Sequence, residues 1–445
     1  MSAEIHEGDA LEILRAMPDN SYHGCLTDPP YGLSFMGHGW DHGVPSVDVW
    51  REVLRVLRPG AHVLAFGGTR TFHRLTCAIE DAGLEIRDCM QWLYGSGFPK
   101  SHDVSKAIDK ANGDWRGKAG AVTSDNAAMG GPNYARTPKG EPIAAAAVQW
   151  SGHGTALKPA WEPIIVARKP LDGTVAESVQ RWGCGGLAID ACRIGYASDD
   201  DKAAAAATAA AQRACQDQNR GLRTRSNFAE GAGPSTIAPF LEKQELGRWP
   251  ANVILDEEAG VILDEEAGAI LDAQGGNRKS TLTGRANPSV AHGHPADPSR
   301  SRGSMFGNDQ ARGNVYADDG GASRFFYCPK ASRSERDAGL EAFDAGQSLY
   351  SRGTGLKANG DGSERSERSE TRNVHPTVKP LALARYLARL ILPPIPDARM
   401  ITPFSGSGSE VIGALQAGWS HVDGIDSWDV AVRISRARLA HWVAR

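Results

Sequence analysis

Short apolar runs alternate with amphipathic helical segments near the beginning of the chain. Residues 22–27 and 61–66 have the composition of buried strands, and residues 49–57 between them repeat apolar side chains with a helical period. The Arg-Pro-Gly sequence at 58–60 ends that helical pattern, because proline and glycine interrupt helices. Strands that alternate with helices form parallel sheets covered on both faces. The sequence therefore predicts an α/β fold.

The end of the chain repeats this alternation. Residues 381–391 form an amphipathic helical pattern, and a strand-like run follows that ends near Phe404. A glycine-rich segment leads into a second helical pattern at 410–417, and residues 421–426 are the next predicted strand. We expect the two ends of the chain to come together in space and to complete one sheet.

The middle of the chain differs in composition from the ends. Residues 101–160 are rich in glycine, alanine and lysine, and the stretch from 170 to about 372 is rich in loop-forming residues. The sequence VILDEEAG occurs twice in tandem, at 253–260 and 261–268, which we interpret as an insertion within one helix or loop. Residues 273–336 contain ten Lys and Arg against five Asp and Glu. This excess suits contact with phosphates, although a solvated loop explains it equally well.

Composition excludes several classes of protein. The chain is 41% hydrophobic and 23% charged with a formal net charge of −4, and no apolar run reaches the roughly 18–20 residues of a membrane span. The N-terminal residues lack the features of a secretory signal. None of the seven cysteines forms a CxxC pair, so we expect neither a disulfide framework nor a metal site. These features predict a cytoplasmic protein without a membrane partner.

The sequence Asp28-Pro29-Pro30-Tyr31 follows a predicted strand. Two consecutive prolines stiffen the backbone, so the Asp28 carboxylate and the adjacent carbonyl become fixed acceptors at the carboxyl edge of the sheet. Tyr31 adds an aromatic face beside them. Acceptors next to a stacking surface suit a planar base that carries an amino group. The alternative is a proline-rich turn with a satisfied aspartate.

A glycine-rich loop lies between a predicted strand and a predicted helix near the end of the chain. The loop consists of Phe404, Ser405, Gly406, Ser407 and Gly408. Its glycines permit a tight turn and the close approach of a ligand, and Asp426, about 20 residues later, is placed to hold ribose hydroxyls. Val411 stands where a dinucleotide loop has its third glycine, and no GK[ST] sequence follows. Both observations argue against NAD and ATP as ligands.

Two further segments adjoin predicted helices. Asp9 and Ala10 follow the first strand-like residues, where an aspartate is more often a helix N-cap than a ligand. Thr377 and Lys379 belong to the sequence HPTVKP at 375–380, which forms a rigid entry to a helix and leaves either side chain free to meet a ligand.

These four segments together resemble the DNA amino-methyltransferases, which transfer a methyl group from S-adenosylmethionine to an exocyclic amine of adenine or cytosine. The sequence DPPY at 28–31 matches their catalytic tetrapeptide, and FSGSG at 404–408 matches their cofactor loop. Residues 8–10 and 375–380 match segments that flank the cofactor. The catalytic motif precedes the cofactor loop, with a long variable region between, which is the order of the permuted β group of bacterial and phage proteins.

The resemblance implies a Rossmann-like core of the S-adenosylmethionine-dependent methyltransferases, with circularly permuted motif order and a large inserted target-recognition region. It divides the chain into a catalytic half of the core, an insertion, a core strand, the target-recognition region and the cofactor-binding half. These parts are residues 1–100, 101–160, 161–170, 171–371 and 372–445 in that order.

The resemblance also assigns roles to individual residues. The catalytic residues would be Asp28, Pro29, Pro30 and Tyr31. The cofactor-binding residues would be Asp9, Ala10, Thr377, Lys379, Phe404, Ser405, Gly406, Ser407, Gly408 and Asp426. An Asp at the first catalytic position implies methylation of the N6 amine of adenine. The implied partner is double-stranded DNA with the target base flipped out, as in restriction–modification, in the cytoplasm of a bacterial cell or a phage-infected host. Whether the protein forms a homodimer stays an open question.

The chain departs from the family pattern at two positions. Thr402 stands where the family usually has an Asp expected to help form the cofactor pocket, and Asp426 stands where it often has a Glu. Thr402 is the sole support for one alternative, a catalytically inactive DNA-binding relative. Methylation of the N4 amine of cytosine is a second alternative. A nicotinamide oxidoreductase is a third, which the DPPY sequence and the motif order disfavour.

Overall fold

The structure is a computed structural model. It describes residues 1–33, 43–94, 101–113, 142, 144–196, 199, 202–203, 205–207, 246–255, 326–344 and 371–443. The chain divides into two compact units. The first consists of residues 1–192, 250–259 and 325–445, and the second of residues 193–249 and 260–324.

The first unit contains one sheet with helices around it. Its strands are β1 (Ser2–Glu7), β2 (Tyr22–Thr27), β3 (Leu57–Phe66), β4 (Glu85–Leu93), β5 (Trp161–Arg168), β6 (Val253–Leu255), β7 (Phe326–Tyr327), β8 (Arg399–Pro403) and β9 (His421–Asp426). Its helices are α1 (Ala10–Ala16), α2 (Val47–Val56), α3 (Phe72–Asp81), α4 (Val104–Ala111), α5 (Ala145–Gln149), α6 (Val175–Trp182), α7 (Arg333–Asp337), α8 (Leu381–Leu390), α9 (Ser409–Ala417) and α10 (Asp429–Val443).

The order of the strands in the sheet is β1-β9-β8-β2-β3-β5-β4-β6-β7. Every described pair is parallel except those of β5, which runs antiparallel to both β3 and β4. Strands β8 and β2 are neighbours although they come from opposite ends of the chain, with Gly24 opposite Met400 and Cys25 opposite Ile401. The prediction that the two ends meet is therefore confirmed.

The strand order reverses between β8 and β2. The chain runs from β8 to β9 on one side of this point and from β2 to β3 on the other. In open α/β sheets, ligands bind in the crevice beyond the carboxyl ends of the strands at such a reversal. The loops that follow β8 and β2 border this crevice, and they are the two loops that carry FSGSG and DPPY.

Buried apolar side chains cover both faces of the sheet. One cluster includes Leu387 of α8 and Val411 of α9, and the other includes Leu14 of α1 and Trp50 of α2. Every residue of β2 is buried, as expected for a central strand with helices on both faces. The predicted α/β fold is confirmed. No helix in the described part of the chain has the length and apolar character that crossing a membrane requires.

The interpretation of the tandem repeat is wrong for the first three residues of its first copy. Val253–Leu255 is neither helix nor loop but strand β6, paired in parallel with β4. Ile254 and Leu255 are fully buried, because three apolar residues in a row fill a site at the edge of the core. Residues 256–260 of the first copy, the whole second copy and most of the basic stretch at 273–336 lie outside the described residues.

The second unit is described at a few positions only. Ile194 and Arg248 form an isolated antiparallel bridge. The guanidinium of Arg193 lies 5.4 Å from the ring centre of Trp249, and that of Arg248 lies 5.6 Å from the ring centre of Tyr196. The division of the chain into a methyltransferase core and a target-recognition region stays a prediction.

The buried His62 of β3 leads to a prediction about stability. Burial, together with Arg168 and Arg87, lowers the pKa of His62 to about 4. The unfolded chain, with a histidine pKa of about 6.5, therefore binds more protons than the folded chain as the pH falls below that value. The stabilisation from a neutral His62 is complete above about pH 6.5 and is lost as the pH falls towards 4.

We expect His62→Gln to reduce the loss of unfolding free energy between about pH 7 and pH 5 by about 2 kcal/mol, because it removes one such group. Urea unfolding at the two pH values measures this difference. His153→Gln, at an exposed position, is the control and should leave the loss unchanged. An equal loss in His62→Gln and the unmodified protein would contradict the prediction.

Candidate active site

The DPPY segment at 28–31 follows the end of β2, beside the end of β8. The hydroxyl of Thr27 donates a hydrogen bond to the carbonyl of Pro403, which ties the two strand ends together. The carboxylate of Asp28 is held at both oxygens. The hydroxyl of Tyr31 donates to Oδ1 at 2.8 Å, and the ammonium of Lys379 donates to Oδ2 at 2.8 Å.

The glycine-rich loop joins β8 to the N-terminus of α9. Phe404 has a φ of 59°, in the left-handed region that bulky residues rarely adopt, and such strained residues cluster at functional sites. The backbone N–H of Gly406 donates to Oδ2 of Asp426 at 2.8 Å, and that of Trp428 donates to Oδ1 at 2.9 Å. The end of β9 therefore fixes the conformation of the loop.

His375 lies directly against the loop. A Cβ atom on Gly406, whose φ is 50°, would come within 2.9 Å of Nε2 of His375. Nδ1 of His375 lies 2.7 Å from the carbonyl of Thr377, so Nδ1 carries the proton and donates. Burial lowers the pKa of His375, which favours the neutral ring. Its ring lies 5.7 Å from that of Trp428, and the two rings form an aromatic wall.

A cavity of about 140 Å³ opens between these two loops. It is lined by Asp28, Pro29, Pro30, Tyr31, Leu33, His375, Thr377, Lys379, Phe404, Ser405, Gly406, Ser407, Ser409, Glu410, Asp426, Ser427 and Trp428. Eleven of the fourteen predicted site residues are among them. Small-molecule sites in proteins also combine aromatic walls with a few polar groups.

Three predicted site residues lie elsewhere in the part of the chain that the structure describes. Asp9 is the N-cap of α1 and accepts hydrogen bonds from the N–H groups of Leu11 and Glu12. Ala10 is a buried residue of the same helix. Gly408 is the N-cap of α9 with a φ of 81° and supports the loop from behind the cavity. A cofactor-binding role for these three stays a prediction.

The lining of the cavity is acidic. Asp28, Glu410 and Asp426 contribute carboxyl groups, and Glu410 is only 3% exposed. Burial, followed by repulsion from Asp28, raises the pKa of Glu410 to about 7, so this side chain can donate as well as accept near neutral pH. Behind the loop, Nη1 of the buried Arg438 donates to the carbonyl of Ser407 at 2.7 Å, and burial lowers the pKa of Arg438 to about 10.

Sequence reasoning missed two charged residues of the site. Glu162 of β5 accepts from Lys379 at 3.1 Å, and its Oε2 lies 3.2 Å from the hydroxyl of Tyr31, whose proton goes to Asp28. A single acid within the otherwise apolar strand 161–166 was the available signal. Glu410 stands in the first turn of α9, where acids commonly face solvent and favour the helix dipole. Nothing in the sequence indicates that Glu410 is buried rather than exposed to solvent.

Comparison with known proteins gives one relative by sequence. No family model matches the chain. The Type II methyltransferase M.HindIII of Haemophilus influenzae is 21% identical over 227 residues, which cover 40% of this chain and 64% of that protein. Over this stretch the chain is similar in sequence to a Type II methyltransferase. It spans somewhat less than two thirds of the length of the relative that it matches.

Solved structures of DNA methyltransferases also resemble this chain. The M1.HpyAVI–SAM complex is 10% identical with a TM-score of 0.35, over 98% of this chain and 100% of that one. The PvuII DNA methyltransferase (cytosine-N4-specific) is 11% identical with a TM-score of 0.39, over 98% and 86%. This chain has the predicted Rossmann-like α/β fold, because the strand order of its sheet reverses between β8 and β2. The circular permutation of its motif order stays a prediction.

Proposed function

We propose that this chain methylates the N6 amine of adenine in DNA, with S-adenosylmethionine as the methyl donor. One observation carries the proposal. The Asp28 carboxylate, held at both oxygens, and the glycine-rich loop anchored by Asp426 line one cavity, although 372 residues lie between the two motifs in the chain. A proton acceptor and a nucleoside-binding loop at one cavity are the two parts that amine methylation requires.

The residues of the cavity suit this methyl donor. The backbone of Gly406 leaves no room for a side chain, so the loop permits close approach, and Asp426 keeps lone pairs for ribose hydroxyls. The rings of His375 and Trp428 offer an aromatic wall for adenine. The acidic lining attracts the positive charge of a sulfonium. When bound, the donor supplies an electrophilic methyl group on that sulfur.

Asp28 acts on the acceptor amine. The nitrogen lone pair of an exocyclic amine is delocalised into the ring, which makes the amine a weak nucleophile. The Asp28 carboxylate and the carbonyl of Pro29 accept its two hydrogens and favour a pyramidal nitrogen whose lone pair is available. When the nitrogen gains the methyl group it must lose one proton, and Asp28 is the acceptor within reach. Positioning of the two reactants supplies most of the rate.

A base inside a duplex cannot reach this cavity. Asp28 and Lys379 are 13% and 6% exposed, so the reacting groups lie below the surface. Enzymes that modify a base take it out of the stack and place it against aromatic side chains. Tyr31, whose ring lines the cavity and whose hydroxyl is fixed to Asp28, is the aromatic group beside the acceptors. We therefore propose double-stranded DNA with a flipped target base as the substrate.

The placement of Thr402 favours an active enzyme over an inactive relative. Thr402 is fully buried and, among the described residues, is not part of the cavity lining, so the departure from the family pattern lies beneath the site. Glu410 contributes a carboxyl group to the lining in its own right. The family association of Asp at the first catalytic position supports adenine over cytosine.

Sequencing of DNA from cells that express the chain tests the proposal. We expect N6-methyladenine at one short recognition sequence in single-molecule sequencing, and none in cells with an empty vector. N4-methylcytosine would identify the alternative target. An unmodified genome, combined with no heat on titration of the purified protein with S-adenosylmethionine, would identify an inactive relative and refute the proposal.

A further inference from the structure

Three polar side chains surround the ammonium of the buried Lys379 and form a cluster with it. Nζ lies 2.8 Å from Oδ2 of Asp28, 3.1 Å from Oε2 of Glu162 and 3.1 Å from the hydroxyl of Tyr31. An ammonium has three N–H donors, and these three oxygens match them in number. Among the described residues, the ammonium is thus fully engaged by protein groups, and none of its donors is left for a cofactor.

The cluster joins three distant parts of the chain. Asp28 and Tyr31 follow β2, Glu162 comes from β5, and Lys379 lies just before α8. The side chain of Lys379 is 6% exposed and that of Glu162 is 20% exposed. The flexible side chain of Lys379 is held in one position because its ammonium binds residues of β5 and of the loop after β2. Such a fixed cation can in turn fix a carboxylate.

The charges of the cluster explain why it contains two carboxylates. Burial alone lowers the pKa of Lys379, but the attraction of Asp28 and Glu162 raises it above the usual range, so the ammonium stays charged. One ammonium between two carboxylates leaves a formal net charge of −1. Because Glu162 shares the cation, Asp28 is not fully neutralised and keeps the negative charge that attracts amine hydrogens.

The hydrogen bonds also determine which lone pairs of Asp28 stay available. Tyr31 occupies one lone pair of Oδ1, and Lys379 occupies one of Oδ2. A carboxylate offers about four lone-pair sites, so each oxygen retains one for an incoming amine. Both oxygens are fixed, and the rotation of the carboxylate is therefore determined before substrate binds.

We propose that Lys379 and Glu162 are positioning residues for Asp28: Glu162 anchors the ammonium of Lys379, which orients the Asp28 carboxylate towards the amine. This inference rests on the proposed function and gives Lys379 a role other than cofactor binding. Lys379 acts through Asp28, and Glu162 acts through Lys379. The two should therefore behave as one unit in kinetics.

Steady-state kinetics with a DNA that the protein methylates, together with calorimetric titration of S-adenosylmethionine, tests the inference. We expect Lys379→Met to lower kcat by about 10²-fold, as misplacement of a catalytic group does, with the Kd for S-adenosylmethionine changed by less than about threefold. Glu162→Gln should lower kcat about tenfold. Lys379→Arg should retain more activity than Lys379→Met, because it keeps the charge. Lys158→Met, at an exposed lysine, is the matched control.

The double variant separates positioning from independent effects. If Glu162 acts through Lys379, Glu162→Gln should lower kcat no further in the Lys379→Met protein. Multiplicative losses would overturn the inference, and so would an unchanged kcat in Glu162→Gln. If the Kd for S-adenosylmethionine in Lys379→Met rises as much as kcat falls, Lys379 binds the cofactor and the inference is overturned.

Failure of the proposed function gives a different result. An unmodified protein that transfers no methyl group to any DNA overturns both proposals. An active unmodified protein with active variants overturns only the positioning role. Glu162→Gln keeps the shape of the side chain, so it preserves the test if Lys379→Met does not fold. Thermal unfolding of each variant shows whether it folds.

Discussion

Asp28→Asn is expected to lower the rate of methyl transfer by roughly 10²–10⁴-fold, the usual contribution of a positioned proton acceptor. Asparagine keeps one oxygen acceptor but replaces the other with an amino group that repels the hydrogens of the target amine. It also cannot take the proton that the methylated nitrogen must lose. Transfer of a labelled methyl group to DNA under single-turnover conditions measures the effect.

Binding should separate this loss of chemistry from a loss of structure. Lys379 keeps Glu162 as a partner at 3.1 Å in the variant, so no buried ammonium is left uncompensated. We therefore expect the Kd for S-adenosylmethionine to stay within about threefold of the unmodified value. Asp81→Asn, at an exposed position at the end of α3, is the control and should keep full activity. Transfer by Asp28→Asn at more than about a tenth of the normal rate would contradict the catalytic assignment.

The strands and helices of the two ends follow from local patterns in the sequence. Mostly apolar runs such as 61–66 favour the interior of a sheet, and glycines such as Gly418 end the helices between the strands. The meeting of the DPPY and FSGSG loops was also predictable, since both follow strands whose carboxyl ends border one crevice. These parts of the site depend on backbone geometry, which short segments of sequence specify.

The ion pairs of the site depend on side chains that only the folded chain brings together. Lys379 was predicted to meet the cofactor because it flanks a predicted ligand site, but its three partners come from residues 28, 31 and 162. No local pattern encodes a contact over 351 residues. The strand β6 was missed for a similar reason, because three apolar residues fit a strand only when an edge such as that of β4 is present.

Gly406→Ala is expected to weaken the binding of S-adenosylmethionine by at least about tenfold. The φ of 50° costs an L-residue about 1–2 kcal/mol, so the free loop of the variant relaxes away from the conformation that forms the cavity wall. Ligand binding must then restore that conformation, and about 1.4 kcal/mol corresponds to a factor of ten in affinity. The added Cβ would also meet His375 at 2.9 Å, and the hydrogen bond to the carbonyl of Thr377 prevents that ring from moving freely. Calorimetric titration of the purified protein measures the change.

Gly418→Ala separates the effect on the loop from the cost of the backbone. Gly418 ends the same helix α9 that follows the loop, with a φ of 113°, and an added Cβ would meet only Leu392 at 3.4 Å, an ordinary contact. Both variants should lose stability because both force alanine into the left-handed region, and only Gly406→Ala should lose affinity. Equal losses of affinity would show that the ligand senses the stability of α9. Full affinity in Gly406→Ala would place the ligand away from the loop, because a side chain would then be tolerated where the cavity wall is formed by bare backbone.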